Sequence, residues 1–201
     1  MKSSLTKGLL ALALLGSTSA ALAHEKGDWL LRVGGGQVDP KSNNGDVVDV
    51  DSGSSATISL GYMITDHWAV DVLAAWPFKH NISLKDGTRV ASTEQLPPTV
   101  LMQYHFLPNA DFQPYVGLGV NFTTFFDTET TGPLAGSSLD LDDSWGLAGQ
   151  VGIDWMLGDK WFFNLDAKYI DIETDAVLDG VFLEKVEIDP MVYTASVGYR
   201  F

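Results

Sequence analysis

The chain has 201 residues, with 26 acidic against 12 basic side chains and a formal net charge of −14 at pH 7. This acidic balance argues against nucleic acid as a partner. The absence of cysteine excludes disulfides as a means of holding the fold together. The length fits a single domain.

The first segment of the chain, residues 1–23, has the three parts of a secretory signal peptide. Lys2 and Lys7 give a positive start, residues 8–15 form a short apolar run, and Ala21-Leu22-Ala23 matches a cleavage site. We therefore expect cleavage after Ala23 and a mature domain over residues 24–201. The apolar run is too short to cross a bilayer as a helix, and no later run of about 18 apolar residues follows it.

The mature part contains eight segments that alternate apolar with small or polar residues, which is the period of a β-strand. Their connections are alternately short and long, as in an outer-membrane barrel with both termini and the short turns in the periplasm. The sequence thus predicts an all-β fold, an eight-stranded antiparallel up-and-down transmembrane β-barrel. The predicted strands are 27–38, 55–64, 68–79, 95–106, 112–126, 144–156, 161–172 and 189–201.

The last strand has the clearest pattern of the eight. Apolar residues occupy one face and end in aromatics at Tyr199 and Phe201, whereas small and polar residues occupy the other. An aromatic girdle at the strand ends is typical of a lipid-facing wall, and we expect Phe201 to contact the barrel-assembly machinery. The alternative is a soluble sandwich or lipocalin-like barrel with its apolar face inward, which the girdle disfavours.

Six blocks of the chain together resemble the OmpW family of eight-stranded outer-membrane barrels. The blocks are HEKGDWLLRVGG, GYMITDHWAVDVLAAWPF, LPPTVLMQYHF, QPYVGLGVNFTTFFD, DDSWGLAGQVGIDWML and IDPMVYTASVGYRF. They cover nearly all of the predicted wall and little of the long loops. The resemblance implies an outer-membrane channel that passes small, mostly hydrophobic molecules, with those solutes and the outer-membrane lipids as its partners.

The inward positions near the predicted periplasmic ends are polar and carry both signs of charge. Because an eight-stranded barrel is only just wide enough for its own side chains, opposite charges there should pair. We predict a polar plug without a transport role of its own. Its members are Arg32, Asp71, Gln103, His105, Gln150, Asp154, Asn164, Asp166, Lys168 and Arg200.

The inward positions toward the long loops are instead small or apolar, and we predict that they line an extracellular vestibule. A solute entering there would meet the charged plug below, so an exit through the wall becomes the economical hypothesis. The predicted lining residues are Ala75, Thr99, Leu101, Thr123, Phe125, Ala148, Ile170 and Val192.

Three prolines fall on neighbouring predicted strands, Pro77 on the third and Pro97 and Pro98 on the fourth. Proline has no N–H to give to a β ladder, so it belongs at an edge or a bulge. One interpretation is a lateral opening toward lipid at this seam. The other is a harmless bulge where pairing would end in any case.

Other functions have weaker support in the sequence. A hydrolase would need a nucleophile beside an oriented histidine, and only His80, with Ser83 and Asp86, falls near the outer rim. Acidic runs in the long loops lack the spacing of a calcium loop. We therefore predict no enzyme activity, no metal site, no cofactor and a monomer. The alternative function is a non-conducting structural barrel or a surface receptor with acidic binding loops.

Overall fold

The structure is a computed structural model that describes residues 24–201, so the predicted signal peptide over residues 1–23 lies outside the described residues. Apart from one short 3-10 turn at Gly132–Leu134, all regular elements are strands. They are β1 (Trp29–Asp39), β2 (Val48–Val50), β3 (Gly53–Met63), β4 (Trp68–Ala75), β5 (Phe78–Leu84), β6 (Arg89–Leu96), β7 (Thr99–His105), β8 (Phe112–Thr130), β9 (Leu139–Leu141), β10 (Ser144–Met156), β11 (Trp161–Ile170), β12 (Glu173–Leu178), β13 (Val181–Glu187) and β14 (Met191–Arg200).

Eight of these strands form a closed antiparallel barrel, as the sequence predicted. They follow one another in the order β10-β11-β14-β1-β3-β4-β7-β8, and pairing of β10 with β8 closes the ring. The last strand, β14, joins the first, β1, with Val33 opposite Val197. The barrel has a short-turn end, where the chain enters at His24, and a long-loop end.

Alternation of side chains sorts the wall into two faces. In β14, Tyr193, Ala195 and Val197 are exposed on the outside, whereas Thr194 and Ser196 are buried inside. Aromatic pairs such as Trp29 with Tyr62 and Trp161 with Tyr199, at ring-centroid distances of 4.9 and 4.8 Å, ring the short-turn end. An exposed apolar face bounded by aromatics is the outer surface that a lipid-facing wall requires. No helix within residues 24–201 is long and apolar enough to cross a membrane.

The long-loop end continues into additional β structure where the sequence predicted loops. Strands β2, β5 and β6 extend the sheet alongside the upper part of β8, and β9, β12 and β13 form a separate three-stranded sheet. Side chains at the inward positions of these strands pack together above the barrel. We call the strands β2, β5, β6, β9, β12 and β13 the upper extension.

Candidate functional site

The interior near the short-turn end is a closed network of buried charges, which we call the floor. Arg32 lies at its centre and donates from Nη1 to Asp71 Oδ1 at 3.0 Å and from Nη2 to Asp154 Oδ2 at 2.7 Å. The three side chains come from β1, β4 and β10, whose inward positions converge at this level. Such hydrogen-bonded pairing offsets the large cost of removing charges from water.

Polar side chains complete the floor around this centre. Lys168 pairs with Asp166, Gln103 Nε2 donates to Gln150 Oε1 at 2.8 Å, and Asn164 Nδ2 donates to Asp154 Oδ1 at 2.8 Å. A cavity of about 10 Å³ remains among these groups, about the smallest space that holds one water molecule. The side chains at this level are too closely packed to leave an open aqueous passage along the barrel axis.

The structure places the predicted plug residues close together, except Arg200. Arg200 is half-buried at the short-turn rim, where Nη2 donates to the Asp159 carbonyl at 2.5 Å and Nη1 lies 3.5 Å from Asp28 Oδ2. Arg200 lies apart from the floor because the last residues of β14 reach the short-turn rim.

Sequence reasoning missed three residues of the floor. Tyr115 and Phe162 are fully buried, and the Arg32 guanidinium carbon lies 5.6 and 5.4 Å from their ring centroids. His24, which precedes the first predicted strand, is buried with Nε2 3.1 Å from Asp154 Oδ2. The signal for the aromatics was inward parity on β8 and β11, but His24 precedes the first strand and has no periodicity to reveal it.

The predicted vestibule residues lie beneath a cover that the upper extension forms. The four buried apolar ones join an apolar core with side chains of the upper extension, among them Phe78, Ala176 and Val186. Ala75 and Phe125 are half-buried against this core. The buried members are Thr99, Leu101, Thr123, Ala148, Ile170 and Val192.

Above the barrel, the core surrounds an apolar cavity of about 50 Å³, which we call the upper cavity. Its wall comes from every part of the upper extension and includes Val48, Ile82, Leu139, Ala176 and Val186. The polar side chains of His80 and Gln95 also line it. The volume accommodates no more than a very small molecule, so a larger solute requires side-chain movement at this level.

His80, the rim histidine of the hydrolase hypothesis, is a structural side chain of the upper extension. Its ring is 2% exposed, and Nδ1 donates to the Asp51 carbonyl at 2.7 Å. Burial lowers the pKa of His80 from its ordinary value of 6.5, although the Asp51 carbonyl opposes this shift. The folded extension therefore holds the imidazole in its neutral form.

This lowered pKa predicts a pH-dependent loosening of the upper extension. His80 takes up a proton more readily when the upper extension is unfolded than when it is folded. The stability that neutral His80 lends to the folded extension is therefore fully present above pH 6.5 and falls as the pH drops toward the lowered pKa. We expect hydrogen exchange in β2 and β5, corrected for intrinsic pH effects, to show less protection at pH 5 than at pH 7.5. In His80→Gln this difference should shrink; an unchanged difference would contradict the assignment to His80.

The three prolines lie at an interruption of the barrel wall, which we call the seam. Strands β4 and β7 are paired as far as Leu73 opposite Thr99, and pairing resumes between β5 and β6 at Phe78 opposite Gln95. In the part of the chain that the structure describes, no ladder pair joins the two sides between those points. The interruption arises because Pro77, Pro97 and Pro98 have no amide hydrogen to donate.

Both flanks of the seam remain bonded to their outer neighbours. The Trp76 amide donates to the Ala56 carbonyl at 2.9 Å, and the Phe122 amide donates to the Pro98 carbonyl at 3.1 Å. Pro77 is exposed, Pro98 is half-buried and Pro97 is buried. The seam therefore separates two well-anchored edges at the height where the floor gives way to the apolar core.

Comparisons with known proteins agree with this architecture. The sequence model of the OmpW family matches residues 25–201. The chain is 43% identical to outer membrane protein W of Vibrio cholerae over 212 aligned residues, covering 96% of this chain and 97% of that protein. It is 34% identical to outer membrane protein AlkL of Ectopseudomonas oleovorans, covering 90% of this chain and 77% of that protein. The crystal structure of OprG from Pseudomonas aeruginosa superposes with a TM-score of 0.83 at 37% identity, covering 90% of this chain and 99% of that one.

Proposed function

The chain belongs to the OmpW family of outer-membrane proteins, and from that membership we propose that it conducts small, mostly hydrophobic molecules from the outside into the bilayer. The inward apolar side chains of the barrel, Leu101, Ala148, Ile170 and Val192, form what we call the apolar column. The observation that carries the proposal is the abrupt change inside the barrel from this apolar column to the charged floor. A hydrophobic solute is stabilised by the column and excluded by the floor. Its path should therefore turn sideways where the two meet.

The entry side of this path is the upper cavity. Apolar side chains of the upper extension and of the barrel form one continuous core, so a solute that enters the cavity need not leave an apolar environment on its way down. The cavity is narrow, and passage would require rearrangement of these side chains. Selection by size and apolarity follows from such a lining, whereas selection for one compound does not.

The exit side is the seam, with Pro77, Pro97 and Pro98 at its margin. An interrupted ladder can widen without breaking backbone hydrogen bonds between the two edges, because none joins them there. The outer face beside the seam is apolar, with Val72, Trp76 and Val100 exposed, as contact with lipid tails requires. We propose that the seam is the place where a hydrophobic solute leaves the barrel.

A second function is favoured by the tight packing of the upper core. A barrel filled with side chains from the floor to the upper extension, with a cavity of only about 50 Å³, would suit a non-conducting structural barrel or surface receptor. Its acidic loops would then be the binding surface. The two functions differ in whether the apolar column carries anything.

Narrowing the upper cavity separates these functions. Ala176 is buried in its wall, so Ala176→Phe should fill the space and lower uptake of a small hydrophobic fluorophore by proteoliposomes severalfold. Ala195→Phe adds the same side chain on the exposed outer face and should leave uptake unchanged. Equal uptake by wild type, Ala176→Phe and protein-free vesicles would support the non-conducting barrel.

A further inference from the structure

Three potential metal ligands meet in the floor, next to the central arginine. The ring nitrogens of His24 and His105 and a carboxylate oxygen of Asp154 all lie within 4.8 Å of one another, and all three residues are buried. They come from the segment before β1, the end of β7 and the inward face of β10. These residues are far apart in sequence and meet only when the barrel has folded.

The two histidines in this cluster are incompletely hydrogen-bonded. Among the described residues, both ring nitrogens of His105 and the Nδ1 of His24 have no hydrogen-bond partner, although His105 is fully buried. The His105 ring stacks on Tyr115 at 5.0 Å and meets the His24 ring edge-on at 5.5 Å. Buried polar atoms are normally satisfied because an unpaired one keeps the full cost of its removal from water. A ligand for these nitrogens would remove that cost.

We propose that His24, His105 and Asp154 form a binding site for a late first-row divalent cation, of which Zn²⁺ is the simplest probe. Neutral imidazole nitrogen suits such ions, and two histidines with one carboxylate form a common ligand set. His24 Nε2 and Asp154 Oδ2 are already 3.1 Å apart. Two ligands of one tetrahedral ion with bonds of about 2.0–2.2 Å are separated by roughly 3.4 Å, so this pair is already close to ligand spacing. A His105 ring nitrogen lies within 4.8 Å of both.

The nearby arginine must share the carboxylate with the cation. Arg32 Nη2 donates to the same Asp154 Oδ2 at 2.7 Å, but an ionised carboxylate offers roughly four acceptor positions. The charge balance of the floor favours a further positive charge. Three carboxylates with buried side chains, Asp71, Asp154 and Asp166, face two buried side-chain cations, Arg32 and Lys168. Among these side chains one negative charge is in excess when all three carboxylates are ionised and the imidazoles are neutral.

A bound cation would join parts of the chain that the β ladders do not join directly. His24 precedes β1, and its backbone nitrogen donates to the Pro108 carbonyl in the turn after β7 at 3.1 Å. Ligation to His105 and Asp154 would fix the amino-terminal segment across the short-turn end of the barrel. The bound cation would act as a reversible cross-link between these segments, beneath the apolar column.

The test is a Zn²⁺ titration of the protein purified in detergent micelles, after treatment with EDTA and dialysis. We expect one equivalent to bind and to shift the ¹⁵N resonances of the His24 and His105 rings. His24→Gln and His105→Gln should each weaken binding by about tenfold or more. The control is His80→Gln, which removes a buried imidazole from the upper extension and should bind as wild type does.

His24→Gln decides the result if His105→Gln fails to fold, because His24 lies outside the strands and its replacement leaves every ladder pair intact. The folded barrel is verified by its faster electrophoretic migration before heating. Two outcomes would overturn the proposal. One is that Zn²⁺ leaves both ring spectra unchanged; the other is that His24→Gln binds with wild-type affinity, which would assign the ion to the acidic upper strands.

Discussion

Closing the seam with a disulfide should abolish solute uptake, and reducing the disulfide should restore it. The chain has no cysteine, so Ala74→Cys with Pro98→Cys introduces a single possible bond. These positions come one step beyond the last ladder pair, Leu73 opposite Thr99. Directly opposed residues in antiparallel strands have Cα separations of about 4.5–5.5 Å, which a disulfide can span. Uptake of a hydrophobic fluorophore by proteoliposomes, measured before and after reduction, checks the prediction.

The matched control for this disulfide lies lower on the same two strands. Val70 is paired with Met102 inside the continuous ladder, and a disulfide there should leave uptake unchanged because that part of the wall is already closed. The reduced form of the Ala74→Cys/Pro98→Cys protein controls for the loss of Pro98. The reduced form of the control variant does the same for the loss of the Val70 and Met102 side chains. Equal uptake by the oxidised and reduced Ala74→Cys/Pro98→Cys protein would rule out the seam as the exit.

Replacing the central arginine of the floor should cause a large loss of stability. Arg32→Met keeps an unbranched side chain but removes the guanidinium that lies over Tyr115 and Phe162, and it leaves Asp71 and Asp154 without their cation. Removing one partner of a buried ion pair costs about 3–5 kcal/mol. Urea unfolding of the barrel in lipid vesicles, followed by tryptophan fluorescence, measures the change in the free energy of unfolding.

An exposed ion pair of the upper extension supplies the comparison for Arg32→Met. Lys185 Nζ lies 2.8 Å from Glu173 Oε2, with the two side chains 54% and 44% exposed. Glu173→Gln should cost less than about 1 kcal/mol, because water solvates both groups in either state. Adding Asp154→Asn to Arg32→Met should recover part of the loss. A loss in Arg32→Met no larger than that in Glu173→Gln would contradict the role of the floor.

The barrel wall could be predicted from the sequence because its alternation is strict and its residues face two very different environments. In the closing strand, a shift of one residue would turn Tyr193 and Val197 inward and Thr194 outward, so its register is fixed. The prolines also predicted where the third and fourth strands would be interrupted. The sequence did not reveal that each of these strands continues as a separate one, β5 and β6, beyond the prolines.

The upper extension could not be predicted because its strands either are very short or mix apolar with polar residues. Strands β2 and β9 have three residues each, and β5 and β6 contain more polar than apolar side chains. Ile82, Ala176 and Val186 line one cavity only after these segments have folded over the barrel. The cover over the predicted vestibule residues was missed for the same reason. Leu101 and Ile170 face inward as predicted, but the cover that buries them comes from segments with no recognised strand pattern.

The ring closure described above has a consequence for how the protein reaches its native state. Arg32, Asp71 and Asp154 belong to strands far apart in sequence, and Arg32 meets both carboxylates only when β1, β4 and β10 occupy one cylinder. A partly assembled sheet would carry these charges unneutralised into the hydrocarbon, which is energetically forbidding. Insertion and closure should therefore be cooperative, so that half-formed intermediates are scarce.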